Sequence, residues 1–249
     1  MGFWQWAQFA GTVLTVVWSA LSYVKYHNWT FGELVEDLKG APLPLNEAGL
    51  HYWLEMIQPY VDVGPVKKRA AIQLHMKVTL FLSVALFIQF LKIVRQKAMP
   101  IHRWLGRTAI CVALLATPTF VVLIYNFKHP VGQYVEYPFA LGIPYFGIRG
   151  WMQVREKKIM DHKASMIMFS SCFFYFGVQR LMMVAMGAVH SGPWAQYTPL
   201  GPWKEWTAEQ YNTYFGASIA LSAIVTLGGA MYKAYVVPTL APPAKAKTK

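Results

Sequence analysis

Apolar residues along this chain gather in long runs, without the period-2 alternation of a half-buried strand or the one-sided stripe of a soluble helix. A helix that crosses a bilayer needs about 20 largely apolar residues. Six stretches are candidates: residues 3–24, 72–94, 108–126, 138–152, 164–189 and 214–236. The fourth is interrupted by Gly142, Pro144, Gly147 and Arg149, which predicts a short or kinked span. Two polar and aromatic segments lie between the runs. Residues 26–71 turn at His27, Asn28 and Trp29 and break at Pro42 and Pro44. They then carry an amphipathic piece over 48–60, whose His51, Tyr52, Trp53 and Tyr60 suit a helix lying along the membrane. Residues 190–213, rich in Trp, Tyr and Pro, predict a folded cap. The expected fold is an all-α integral membrane protein with about six transmembrane helices around a four-helix core. In that reading 1–25 is the first transmembrane helix, 26–71 the interfacial segment, 72–189 the core, 190–213 the cap, 214–236 the sixth helix and 237–249 a basic tail.

Composition agrees: 14% of residues are charged and 55% hydrophobic, against roughly a quarter charged in a soluble domain. The opening run has no basic n-region and is too long for a simple h-region, so it reads as a retained span rather than a signal peptide. Cys111 and Cys172 lie inside apolar runs and read as small core residues, which excludes a disulfide scaffold. The tail, rich in Pro, Ala and Lys, cannot bury a core of its own.

The net charge of +12 changes the picture through its placement. With six spans, both termini and the segments 95–107 and 153–163 share one side. That side carries fourteen Lys and Arg against only Glu156 and Asp161, a net of +12, whereas the other side has nine cations and nine anions. Such asymmetry predicts that the basic face is cytoplasmic or matrix, in a bacterial inner membrane or a mitochondrial or other organellar inner membrane. Anionic lipids on the basic face and other membrane subunits are the expected partners. Nucleic acid is excluded, because the cations line a membrane surface.

Ionisable residues within spans are costly and mark function. His75 and Lys77 fall in the first turns of the second span, and Arg180 reaches the same leaflet from the fifth. A cation there needs an anion or a set of acceptors. The choices are a haem propionate, a bound lipid or substrate anion, backbone carbonyls freed near Pro118 or Pro144, or Glu136 folded in from the neutral-side loop. On the basic side, Pro100 to Arg107 makes the turn into the third span and Asp161-His162-Lys163 opens the fifth, so His102 and His162 share a face. Met182, Met183 and Met186 read as adaptable packing. There is no Gly-rich phosphate loop, metal-spaced Cys pair or Ser-His-Asp order.

The ordered set Leu74-His75, His102-Arg103-Trp104-Leu105-Gly106-Arg107, Asp161-His162-Lys163-Ala164-Ser165-Met166 and Gln179-Arg180-Leu181 resembles the bacterial "predicted membrane protein" family of unknown function. That family is recognised by a His-Arg-x-x-Gly-Arg turn. The likeness covers about residues 72–189 and implies a four-helix unit and a set of positions rather than a reaction. The chain departs from the family pattern at Lys163 and Ala164, where Arg is typical, and residues 26–70 and the sixth helix lie outside the likeness.

The sharpest functional expectation is a redox-linked role with b-type haem or a quinone bound between core helices. His102 and His162 are then the candidate haem ligands, with Arg103, Arg107 and Lys163 near the propionates. On the neutral side His75 would pair with His129 or His190, with Lys77 and Arg180 in the propionate role. A quinone headgroup suits histidines as shallow as His102 and His162 better than haem does. The plainer reading has His102 and His162 capping helices, Arg103 and Arg107 holding lipid phosphates, and His75 with Arg180 as an interhelical polar contact. The alternative function is a non-catalytic accessory subunit of a larger membrane assembly, such as a respiratory complex. A transporter is disfavoured because no acidic residue lies in the expected spans. An enzyme acting on its own is not expected.

Overall fold

The computed structural model describes residues 66–125, 129–199 and 201–237, together with positions 13, 16, 17, 20, 36, 47–49 and 51. The expected first span, most of the interfacial piece over 48–60, and the tail from 238 lie outside the described residues. The described chain is α-helical, with no strand among the described residues. Its elements are α1 (Val66–Phe90), α2 (Lys92–Lys97), α3 (Met99–Tyr125), α4 (Pro130–Arg155), α5 (Ile159–Ser191) and α6 (Ala208–Met231). Helix α6 continues as a π-helical turn over Tyr232–Val236. Gln73–Phe90, Met99–Tyr125, Ile159–Ser191 and Ala208–Val236 are each long and apolar enough to cross a membrane.

Several boundaries differ from the sequence reading for physical reasons. The run from Pro100 to Arg107 is the first part of α3 rather than a turn. Proline is tolerated in a first helical turn, where its missing N–H has no intrahelical acceptor, and the His102 amide already bonds to Ala98 O at 3.1 Å. Helix α4 is 26 residues long, running from Pro130 through the expected 138–152 stretch, and it does not reach the apolarity of the other four long helices. Pro130 opens it, and the His129 ring caps it by accepting from Gly132 N at 3.2 Å. The interior Pro138 and Pro144 each forfeit a bond without ending the helix. Helix α4 stops at a Schellman-type cap: Lys157 takes a left-handed φ of 62°, Lys158 N bonds Gln153 O at 2.9 Å and Lys157 N bonds Val154 O at 3.2 Å. In the same turn Lys158 pairs with Glu156 at 2.8 Å, which holds its ammonium above the ordinary lysine value.

The helices alternate in direction, with α1 against α3, α3 against α4, α4 against α5 and α5 against α6. Small residues allow the close approaches. Ala109, Ala113 and Ala116 form a buried stripe on α3, and Gly142 of α4 faces Cys172 of α5. Phe215 and Ile219 of α6 belong to the same buried cluster as Leu82, Phe120, Phe139 and Phe173. Helix α6 is therefore part of the core rather than a flanking helix. On the neutral side, Trp203, Trp206, Tyr211 and Tyr214 close the bundle as a buried aromatic cap. Within it Trp206 Nε1 donates to Gly201 O at 3.1 Å and Tyr211 OH to Trp203 O at 3.0 Å. Gly49 is seated against the Tyr211 ring, where a Cβ would have no room, so this part of the preceding segment lies at the cap.

Candidate functional site

Helix α5 has 33 residues, about 50 Å at 1.5 Å per residue, so it outreaches a hydrocarbon core of about 30 Å. It carries polar chemistry towards both ends. Four residues on successive helical turns define the neutral-side group: Tyr175, then Gln179 with Arg180, then Met183. Tyr175 is fully buried and stacks on Phe139 of α4 at 4.0 Å between ring centroids. Gln179, also buried, donates to the Met183 thioether at 3.5 Å, and Arg180 reaches the same sulfur at 3.5 Å. Sulfur is a weak acceptor. His75 comes in from α1 with its ring edge-on to Phe120 at 4.9 Å.

The Arg180 charge acts on His75, on Glu136 of α4 and on Tyr175. Three helices thus bring their polar groups to one level of the bundle. Among the buried atoms without a hydrogen-bond partner on these helices are His75 Nδ1 and Tyr175 OH, with Thr79 Oγ1 one turn from His75. An unpaired buried polar atom costs about 1–3 kcal/mol, so the group can accept a ligand that offers complementary atoms. Glu136 is one of the anions that sequence reasoning offered Arg180. It sits within α4, only 8% exposed, rather than in a loop, so this carboxylate reaches the bundle from a helix. Tyr175 was not singled out from the sequence, and Gln179 entered only as part of the Gln179-Arg180-Leu181 run. Their positions five and one residues before Arg180 on one helix were the available signal.

The basic-side residues also meet. His162 Nδ1 donates to Gly150 O at 2.7 Å; a carbonyl only accepts, so this nitrogen carries the proton. His162, Arg95 and Arg103 act electrostatically on His102. The His102 carbonyl accepts from Gln89 Nε2 at 2.7 Å, while its Nδ1 is buried without a partner. Arg103 and Arg107 are exposed, and the Arg107 guanidinium lies over the Trp104 ring at 5.5 Å from its centroid. His102 and His162 are therefore brought together, with Arg103 nearby and Arg107 outward.

The histidines expected to accompany His75 are engaged elsewhere. His129 uses both nitrogens, Nδ1 for the α4 cap and Nε2 with Asn212 O at 3.1 Å. His190 Nδ1 lies 3.1 Å from Gly201 O and 2.8 Å from Thr198 Oγ1, and its ring meets Trp206 edge-on at 4.8 Å. Both hold the cap in place. Lys77 is exposed. Met183 and Met186 pack against the aromatic cap. Cys111 is exposed and Cys172 buried, both as free thiols. Among the described residues no group of three or more His, Cys, Asp or Glu is placed to hold a metal ion.

A family model described as "Predicted membrane protein (DUF2306)" matches residues 72–216. The match takes in all of α3 to α5, the cap and the first third of α6. No curated protein and no solved structure matches the chain.

Proposed function

This chain belongs to that family of predicted membrane proteins of unknown function, and for such a membrane-embedded helical bundle we propose a redox-linked role: binding of a quinone headgroup between α1, α4 and α5. The observation that carries the reading is the pair of buried, unpartnered atoms, His75 Nδ1 and Tyr175 OH, on helices that also present Glu136 and Arg180. A quinone ring presents two carbonyl acceptors on a flat apolar body. The phenol of Tyr175 can donate to one carbonyl. His75 can donate to the other as the Nδ1–H tautomer, or accept from the corresponding quinol. Phe120, Phe139 and Phe176 supply the aromatic surroundings that a quinone ring requires. Glu136 and His75 are the groups able to exchange protons with the bound ring.

Haem at His102 and His162 is the weaker form of the redox reading. His162 is oriented as a metal-binding imidazole would be, with Nδ1 bonded to a carbonyl. One turn further in, however, a Cβ on Gly147 would lie 3.4 Å from Phe169 and 3.5 Å from Ile110. Helices α3, α4 and α5 touch at the level where a porphyrin would have to enter, so these residues do not fit an inserted haem. The accessory-subunit reading has an observation of its own. Tyr125, Tyr134, Trp194 and Tyr197 stand exposed at the neutral end, where an aromatic interface belt or a neighbouring subunit would use them.

We further propose that the basic face is cytoplasmic or matrix. The binding reading is tested by photolabelling the full-length protein with a photoreactive short-chain quinone. The expected product carries the label on α5 between Tyr175 and Met183 or on α1 around His75. Labelling confined to lipid-facing residues, and not reduced by excess unlabelled quinone, would overturn it.

A further inference from the structure

Where α4 turns into α5 the surface forms an open cleft of about 490 Å³, within the range of roughly 300–1,000 Å³ that small ligands fill. The quinone reading does not use it. Its walls differ in chemistry. Tyr145, Ile148 and Met152 of α4 line one side and stand exposed, and Leu141 continues the same helical stripe towards the middle of α4. The other side carries Arg149, Glu156, Lys158 and Asp161. Gln153, half-buried in the cleft, ties it to α5 by accepting from Ser165 Oγ at 2.7 Å. An apolar wall beside one with both signs of charge, at the end of a pair of membrane-embedded helices, suits the headgroup and first acyl carbons of a lipid.

The charges in the cleft are not all matched within the protein. Lys158 and Glu156 pair at 2.8 Å. Arg149 donates to Tyr145 OH at 3.0 Å, and Asp161 acts on the Lys158 charge without bonding to it. Among the described residues neither Arg149 nor Asp161 has an ion-pair partner of its own. We infer that the cleft is a binding site for an aminophospholipid of the phosphatidylethanolamine class, with its phosphate on Arg149 and its primary ammonium on Asp161. Only one of the guanidinium donors is used on Tyr145, and the Tyr145 hydroxyl hydrogen remains to donate to a second phosphate oxygen. A primary ammonium donates hydrogen bonds to a carboxylate, whereas a trimethylammonium has none to give and is held by open aromatic faces. Here the Tyr145 face is already taken by the Arg149 guanidinium, 6.0 Å from the ring centroid. The cleft therefore discriminates between two headgroups of equal net charge.

The test uses the full-length protein in a neutral detergent, stripped of lipid. Its thermal midpoint is followed on adding phosphatidylethanolamine, phosphatidylcholine with the same acyl chains, or glycerophosphoethanolamine. Phosphatidylethanolamine should raise the midpoint at about tenfold lower concentration than phosphatidylcholine. Asp161→Asn should abolish that preference, and Arg149→Gln should weaken the response to both lipids about tenfold. Asp161 also serves the first turn of α5, so if Asp161→Asn does not fold, the exposed Arg149→Gln carries the test. An equal response to the two lipids, or responses unchanged in the variants, would overturn the site. A rise with glycerophosphoethanolamine as large as with the lipid would overturn its assignment to a lipid.

Discussion

Replacing Gly142 by Ala tests the close approach of α4 to α5. A Cβ built on Gly142 would lie 2.7 Å from Cys172 Sγ but 3.7 Å from Cys172 Cβ. Carbon and heavier atoms in favourable contact sit roughly 3.5–4.0 Å apart, so α4 and α5 would have to separate by about 1 Å, or the thiol would have to leave its place in the core. Overpacking of that kind costs about 1–3 kcal/mol. The exchange of Gly for Ala in a helix interior returns up to about 1 kcal/mol. Gly142→Ala should therefore destabilise the bundle by about 1–2 kcal/mol. In a Cys172→Ala background the obstructing sulfur is gone and 3.7 Å is ordinary contact. There the same substitution should be neutral or stabilising. Thermal unfolding of the four proteins in detergent measures the cycle, and the coupling should be about 1–3 kcal/mol. Equal destabilisation by Gly142→Ala in both backgrounds would refute the proposed approach of α4 to α5.

Two further outcomes are expected. Lys157 holds a left-handed φ of 62° at the end of α4, a conformation that costs a side-chain-bearing residue about 1–2 kcal/mol and glycine almost nothing. Lys157→Gly should therefore raise stability by about 0.5–1 kcal/mol after the flexibility glycine adds to the unfolded chain, while Lys157→Val should lower it; chemical or thermal unfolding reads both. In a background free of Cys111 and Cys172, single cysteines at Lys97 and Lys157 should react with a membrane-impermeant thiol reagent from one side only, and a cysteine at Glu47 only from the other. Reaction of the Lys97 and Glu47 positions from the same side would remove the alternating topology.

What the sequence disclosed depended on which physical signal each feature leaves. The spans were legible because an apolar run is compositional, and the basic face because its cations cluster in the short connections. Boundaries were less legible. The run from Pro100 to Arg107 read as a turn although Pro100 occupies a permitted place in the first turn of α3, and Pro144 read as an interruption although α4 continues through it. Starting that span at Pro138 placed Glu136 in a loop, whereas the helix already begins at Pro130. His75 and Arg180 stood out as charge in an apolar run. Tyr175 did not, because a tyrosine among phenylalanines is indistinguishable from packing until its hydroxyl is found without a partner. The break at Leu91 and the π-turn of Tyr232–Val236 contain neither Gly nor Pro, so no residue in them marks the departure from α-helix.

The quinone reading is tested most directly by titrating the full-length protein in neutral detergent with a short-tailed benzoquinone, followed by quenching of tryptophan fluorescence. Binding should saturate. Tyr175→Phe and His75→Gln should each weaken it about fivefold or more, as expected for the loss of one hydrogen bond of about 1 kcal/mol, with the thermal midpoint of the unliganded protein little changed. Quenching that never saturates, or saturable binding that neither substitution weakens, would contradict the assignment of the site to α1, α4 and α5.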